Sequence, residues 1–199
     1  IRNVVFGALA GEASLSVAPK QGEDFAKAMS GNLRFQLGDG KLAGVQILNE
    51  LSKVAKFAGV SSAVPEEPVT DLLGFSGSLD IRDGKAATND LKLAFAGGSL
   101  EGAGSLGLAD QSLQLKVLSM LDMATSNRLG GTRIGGYLST ALANSKGELV
   151  IPCLVSGSAD KPLFAPDPAE FARLKVKGLL GPQTGQAIGG AVLDAIKGG

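Results

Sequence analysis

The sequence predicts an α+β chain that is mainly antiparallel β, and three observations predict it. Apolar side chains recur with period two through much of the chain. Tight-turn dipeptides separate the alternating runs at short intervals. Only about three stretches carry a helical stripe. Strands at this spacing, joined by tight turns, make a meander, with one inserted helix and helices at the C-terminal end.

The elements follow in order. Residues 1–18 read as one or two strands ending at Pro19. Leu33, Phe35 and Leu37 alternate with Asn32, Arg34 and Gln36, and Asp39-Gly40 is a hairpin-type dipeptide. Ile47, Leu48, Leu51, Val54, Ala55 and Ala58 share one stripe, which predicts a helix over 46–58. The Pro65-Glu66-Glu67-Pro68 loop and a short run into Leu72-Leu73 come next. Leu79 and Ile81 alternate with Ser78 and Asp80 and meet a second turn, Asp83-Gly84. Leu91, Leu93 and Phe95 flank Lys92 and Ala94 before a Gly97-Gly98 turn. Leu106 and Leu108 follow a glycine-rich stretch, and Ala109-Asp110-Gln111 turns the chain into Leu113, Leu115 and Val117. SGNLRFQLGDGK at 30–41 is echoed by SGSLDIRDGK at 76–85, two residues shorter. That even difference keeps every side chain on its face, so the two read as one unit used twice.

Residues 122–147 read as loop mixed with short helix. Ile151–Val155 is a strand in which Pro152 calls for an edge or a bulge. A turn over 156–160 and an extended piece at 162–164 follow. Asp167 as N-cap, Pro168 at the first helical position and Glu170 closing a capping box predict a helix over 168–177. Ala187/Ile188, Ala191/Val192 and Ala195/Ile196 predict another over 182–197. The chain divides into a sheet domain, 1–165, and a helical segment, 166–199, that packs on or caps the sheet.

Composition removes whole classes of chemistry. Lys+Arg and Asp+Glu both number 19, so there is no basic footprint for nucleic acid. Histidine is absent, which excludes Ser-His-Asp triads and His-ligated zinc and removes the commonest general base. Cys153, the single cysteine, has no partner for a disulfide or a CxxC metal site and reads as a small buried hydrophobe. No cofactor or metal is expected. Asp39 and Asp83 are conceivable as an acid-base pair, but Asp-Gly is what a turn backbone requires. GGTRIGG at 130–136 lacks the strand, lysine and helix of a phosphate loop and reads as a connection. Arg128 and Arg133 beside it are candidate lipid headgroup contacts. Gly185 and Gly189 give the last helix a close-packing pattern, for the sheet, a membrane surface or an envelope protein. The chain opens at Ile1, so it reads as a soluble piece of a longer protein, with any anchor outside it.

The sheet itself is the strongest signal. One face is long, aliphatic and poor in aromatic residues, and about three helices are few to cover it. Such a face suits either a core or an open groove for acyl chains.

IPCLVSGSADKPLFAPD at 151–167 sharpens the choice. Its apolar-Pro-apolar start, its Gly157, Pro162, Phe164, Pro166 and Asp167, and the preceding SGNLRFQLGDGKLAGVQILNEL and FSGSLDIRDGKAATNDLKLAFAGGSLEGAGSLGLADQSLQL resemble the C-terminal region of the AsmA-like family over roughly 28–168. Cys153-Leu154 departs from the Val and polar or basic residue more usual there. The resemblance implies a sheet curved into an open apolar groove in a Gram-negative envelope protein. It implies an inner-membrane anchor elsewhere in the protein, a periplasmic location, and phospholipid movement between inner and outer membranes without catalysis. The expected lining is Leu33, Phe35, Leu37, Leu79, Ile81, Leu91, Leu93, Phe95, Leu106, Leu113, Leu115 and Val117. The alternative is a structural or interaction module of the envelope with a fully covered sheet.

Overall fold

A computed structural model of the chain describes residues 4–19, 22, 24–57, 69–129, 142–144 and 146–179. Eight strands pair in chain order into one open antiparallel sheet. They are β1 (Val4–Val17), β2 (Met29–Ala43), β3 (Val69–Arg82), β4 (Lys85–Phe95), β5 (Gly98–Gly107), β6 (Leu113–Leu121), β7 (Leu149–Ser158) and β8 (Lys161–Pro166). The helices whose full range falls among the described residues are α1 (Phe25–Ala28), α2 (Ile47–Phe57), α3 (Met123–Arg128) and α4 (Pro168–Leu179). The meander, the inserted helix and the Pro168 helix match the sequence expectation. The predicted helix over 182–197, the loop at 65–68 and the GGTRIGG stretch with Arg133 lie outside the described residues.

Three local readings are corrected. Asp39-Gly40 does not turn the chain. β2 runs through it, and the β1 partners step from Gly7 to Leu9 while those of β2 step from Gly40 to Leu37, which marks a bulge. Asp83-Gly84 is the real hairpin, with φ of 49° and 75° at its two central residues, the signature of a type I′ turn. The echoed segments are therefore not one unit used twice, since the same dipeptide bends a strand in one and reverses the chain in the other. Pro152 sits in an interior strand, opposite Leu118 of β6. Its carbonyl accepts from the Asp167 N–H at 3.2 Å, so its missing N–H faces the side where β8 has just ended at Pro166. The proline is tolerated because the ladder stops there.

The sheet wraps around α2. This helix has 11 residues and is about 16 Å long at 1.5 Å per residue. The hydroxyl of Thr70 in β3 accepts from the Ile47 N–H at 3.3 Å and donates to the Val45 carbonyl at 2.8 Å, which satisfies an otherwise orphaned donor of the helix start. The same helix packs on β7 and β8. On a flat sheet β3 and β8 would be five spacings, about 24 Å, apart, so curvature brings both ends to one helix. Leu51, Val54 and Ala55 of α2 join Leu37, Val117 and Val155 from distant strands in one buried cluster.

Two further pins hold the end of the sheet that α2 covers. The buried Ser126 hydroxyl in α3 donates to the Leu121 carbonyl at 2.9 Å and accepts from the Leu149 N–H at 3.0 Å, tying the end of β6 to the start of β7. Phe171 of α4 is buried in the same core, with its ring 5.7 Å from that of Phe57 in α2.

Candidate functional site

Strand register decides which side chains share a face, because directly opposed residues point the same way. One row across the sheet reads Leu9, Leu37, Phe75, Leu93, Leu100, Ser119 and Ile151. A second reads Ala13, Leu33 and Leu79 on one side, and Gly104, Leu115, Val155 and Phe164 on the other. A third reads Leu15, Gly31, Ile81, Ala86, Leu106 and Leu113. All twelve candidate lining residues fall on this face.

Burial divides them. Leu37, Phe95 and Val117 are buried in the core cluster. Leu93, Leu113 and Leu115 are half-buried and packed against it. Ile81 is also buried, outside the cluster and opposite the buried Ala86. Leu33, Phe35, Leu79, Leu91 and Leu106 are half-buried and stand outside the cluster. The face is therefore filled where α2 lies and partly open beyond it.

Glycines alternate with large side chains across the strands here. Between the first two rows runs Gly11, Phe35 and Gly77, continued by Leu91, Gly102 and Val117. A Cβ at Gly77 would lie 3.3 Å from the Leu91 side chain and 3.5 Å from the Phe35 ring, so the large neighbours close over the gap. The Phe35 ring in turn meets Phe75 edge-on at 5.0 Å. The period-two reading found the ridges. It missed the alternation of large and absent side chains across strands, which is visible only in register.

The opposite face is polar across much of β2–β5. Lys41 pairs with Asp71 at 3.4 Å and Lys92 with Glu101 at 3.7 Å across neighbouring strands. Asp90 lies at a break in the β3–β4 register and takes over as acceptor there. It accepts from the Ser78 N–H and hydroxyl, each at 2.8 Å, and from Thr88 at 3.3 Å. The Ser78 N–H bond is the main reason its carboxyl is held below the usual range.

The other candidate groups do not converge. Asp39 adjoins Leu37, whose partner is Phe75, while Asp83 lies eight positions further along β3, about 27 Å at strand rise. Arg128 is exposed at the end of α3, bonds Thr125 at 3.2 Å, and lines a cavity of about 300 Å³ with Asp71 and Asp122. That cavity is at the opposite end of the strands from Leu106. Cys153 is buried, and burial, with the Asp167 charge second, pushes its thiol up to about 12. Among the described residues no group of three or more His, Cys, Asp or Glu is placed to hold a metal, and no helix is long and apolar enough to cross a membrane. No protein-family model, curated protein or solved structure matches the chain.

Proposed function

We propose that the chain is a non-catalytic lipid-binding groove segment. In this reading it is a C-terminal piece of an AsmA-like periplasmic protein, anchored in the inner membrane, that moves phospholipid between the inner and outer membranes. One observation carries it: Leu33, Phe35, Leu79, Leu91 and Leu106 share a single face, stand outside the core cluster and are only partly buried. An acyl chain laid along them leaves water at about 25 cal/mol per Å² of apolar area. Such a ligand needs no hydrogen-bonding partner, and the aliphatic ridges with glycine gaps offer none. Headgroups stay at the wet margin of the sheet. The order of the motifs that resemble the AsmA-like family is the second support.

The alternative, a structural module with a fully covered sheet, draws on α2 and Phe171, which bury the other part of this face. Native mass spectrometry of the purified chain separates the two readings, because the lipid reading expects bound phospholipid. Leu79→Asp with Leu91→Asp is the matching variant, since both side chains lie outside the core cluster. The expected outcome is loss of most bound phospholipid with an unchanged far-UV spectrum. Full lipid recovery from the folded variant would refute the reading.

A further inference from the structure

We propose that the cavity between the start of α2 and α3 binds a small neutral polyol, of the size of a single sugar ring. The cavity has a volume of about 300 Å³ and is built from four separated stretches of chain, 46–49, 69–71, 96–97 and 122–128. That volume is at the small end of the range for ligand pockets. Its floor is fixed by backbone bonds. The Ala96 N–H donates to the Asp71 carbonyl and the Asp122 N–H to the Gly97 carbonyl, each at 3.0 Å. Gly97 has φ 106°, and a Cβ there would lie 2.7 Å from the Thr125 hydroxyl, so glycine is what lets α3 sit this close.

Among the described residues, the polar groups around the cavity bond one another and keep capacity to spare. Asn49 donates from its amide to the Gln46 side-chain oxygen at 2.9 Å, which leaves the Asn49 oxygen to accept and the Gln46 amide to donate. Arg128 donates to the buried Thr125 hydroxyl at 3.2 Å, and a guanidinium has further N–H groups. One Asp122 oxygen accepts from the Thr125 N–H at 2.7 Å, which leaves the other. Asp71 is paired with Lys41. With that lysine included, carboxylates and cations balance, so net charge favours neither an anion nor a cation. Leu48, Val69, Ala96 and Ala124 supply apolar wall between the polar groups. The matching ligand donates and accepts at several points, is uncharged and has C–H faces. Hydroxyls on a saturated ring meet all three conditions. An acyl chain would leave the amides and carboxylates without partners.

Amide NMR spectra of the isotope-labelled full chain test this, with glucose, N-acetylglucosamine, glycine and inorganic phosphate added in separate titrations. At least one of the two sugars is expected to shift amides of the lining stretches, saturating in the millimolar range of so small a ligand, and to leave Leu79 and Leu91 in place. Asn49→Ala and Arg128→Ala each remove one partner, and neither side chain belongs to the core cluster. Each is expected to weaken binding by roughly three- to tenfold, the worth of one hydrogen bond. Should a variant fail to fold, the shifts in the parent chain decide alone. The absence of any saturating shift from either sugar overturns the proposal. Saturation by glycine or phosphate in place of the sugars overturns the ligand class. Saturating shifts that fall outside the lining stretches, or an affinity that both folded variants retain, overturn the site. No lipid is measured, so the outcome is independent of the lipid reading.

Discussion

Cys153 shows how far a single side chain follows from its place in the fold. It lies on the apolar face opposite Val117 and Pro166 and is buried. Its thiol is raised from 9.0 to about 12, by burial first and by Asp167 second. In the folded chain it stays protonated, whereas in the unfolded chain it ionises above pH 9. A raised folded value means that stability is intact below the unfolded value and is lost as pH climbs toward the folded one. The slope is about 1.4 kcal/mol per pH unit for one proton, so roughly 1 kcal/mol is lost by pH 10. Cys153→Ala should be less stable than the parent at pH 8 because of its smaller side chain, and should recover about 1 kcal/mol of that deficit at pH 10. Urea unfolding of both at the two pH values measures it, and parallel pH profiles would remove the thiol as the cause. The burial of Cys153 was legible from the apolar run around it. The acceptor role of Asp90 was not, because its partner Ser78 is twelve residues away and the need arises only where the β3–β4 ladder breaks.

At the scale of elements, the two Asp-Gly dipeptides separate what local sequence decides from what pairing decides. Gly84 has φ 75°, so alanine there takes a left-handed backbone at a cost of about 1 kcal/mol. The nearest atoms an added Cβ would meet all belong to Lys27, the side chain at 3.3 Å and the backbone at an ordinary 3.8 Å. Gly40 fails for a different reason: an added Cβ would clash with the Phe6 carbonyl oxygen of β1, so the backbone of the adjacent strand must move. Gly40→Ala is expected to cost more, about 2–3 kcal/mol, in the range of overpacked sites. It should also loosen β1 selectively. Equilibrium denaturation of the two variants checks the order, and a larger loss from Gly84→Ala would contradict it. The strands and α2 were legible because their periodicities are written locally. Whether Asp-Gly bends or reverses the chain was not, because that depends on β1 lying alongside. The Thr70 contact that starts α2 was equally hidden, since it joins residues 23 positions apart.

For the whole molecule, the same sheet is unevenly supported. β6 and β7 carry fully buried side chains, among them Leu121, Leu149 and Ile151, and α3 and α4 close over that end. The opposite side ends in β1, whose described side chains are exposed on both faces although its backbone pairs with β2 along almost its full length. Hydrogen bonds alone contribute little net stability against water, whereas burial contributes most, so local opening should be easiest where burial is least. Amide hydrogen exchange is therefore expected to run fastest in β1, more slowly through β2–β5, and slowest in β6 and β7. The gradient belongs to the isolated molecule. Uniform protection across the sheet would show that β1 is held by something other than β2.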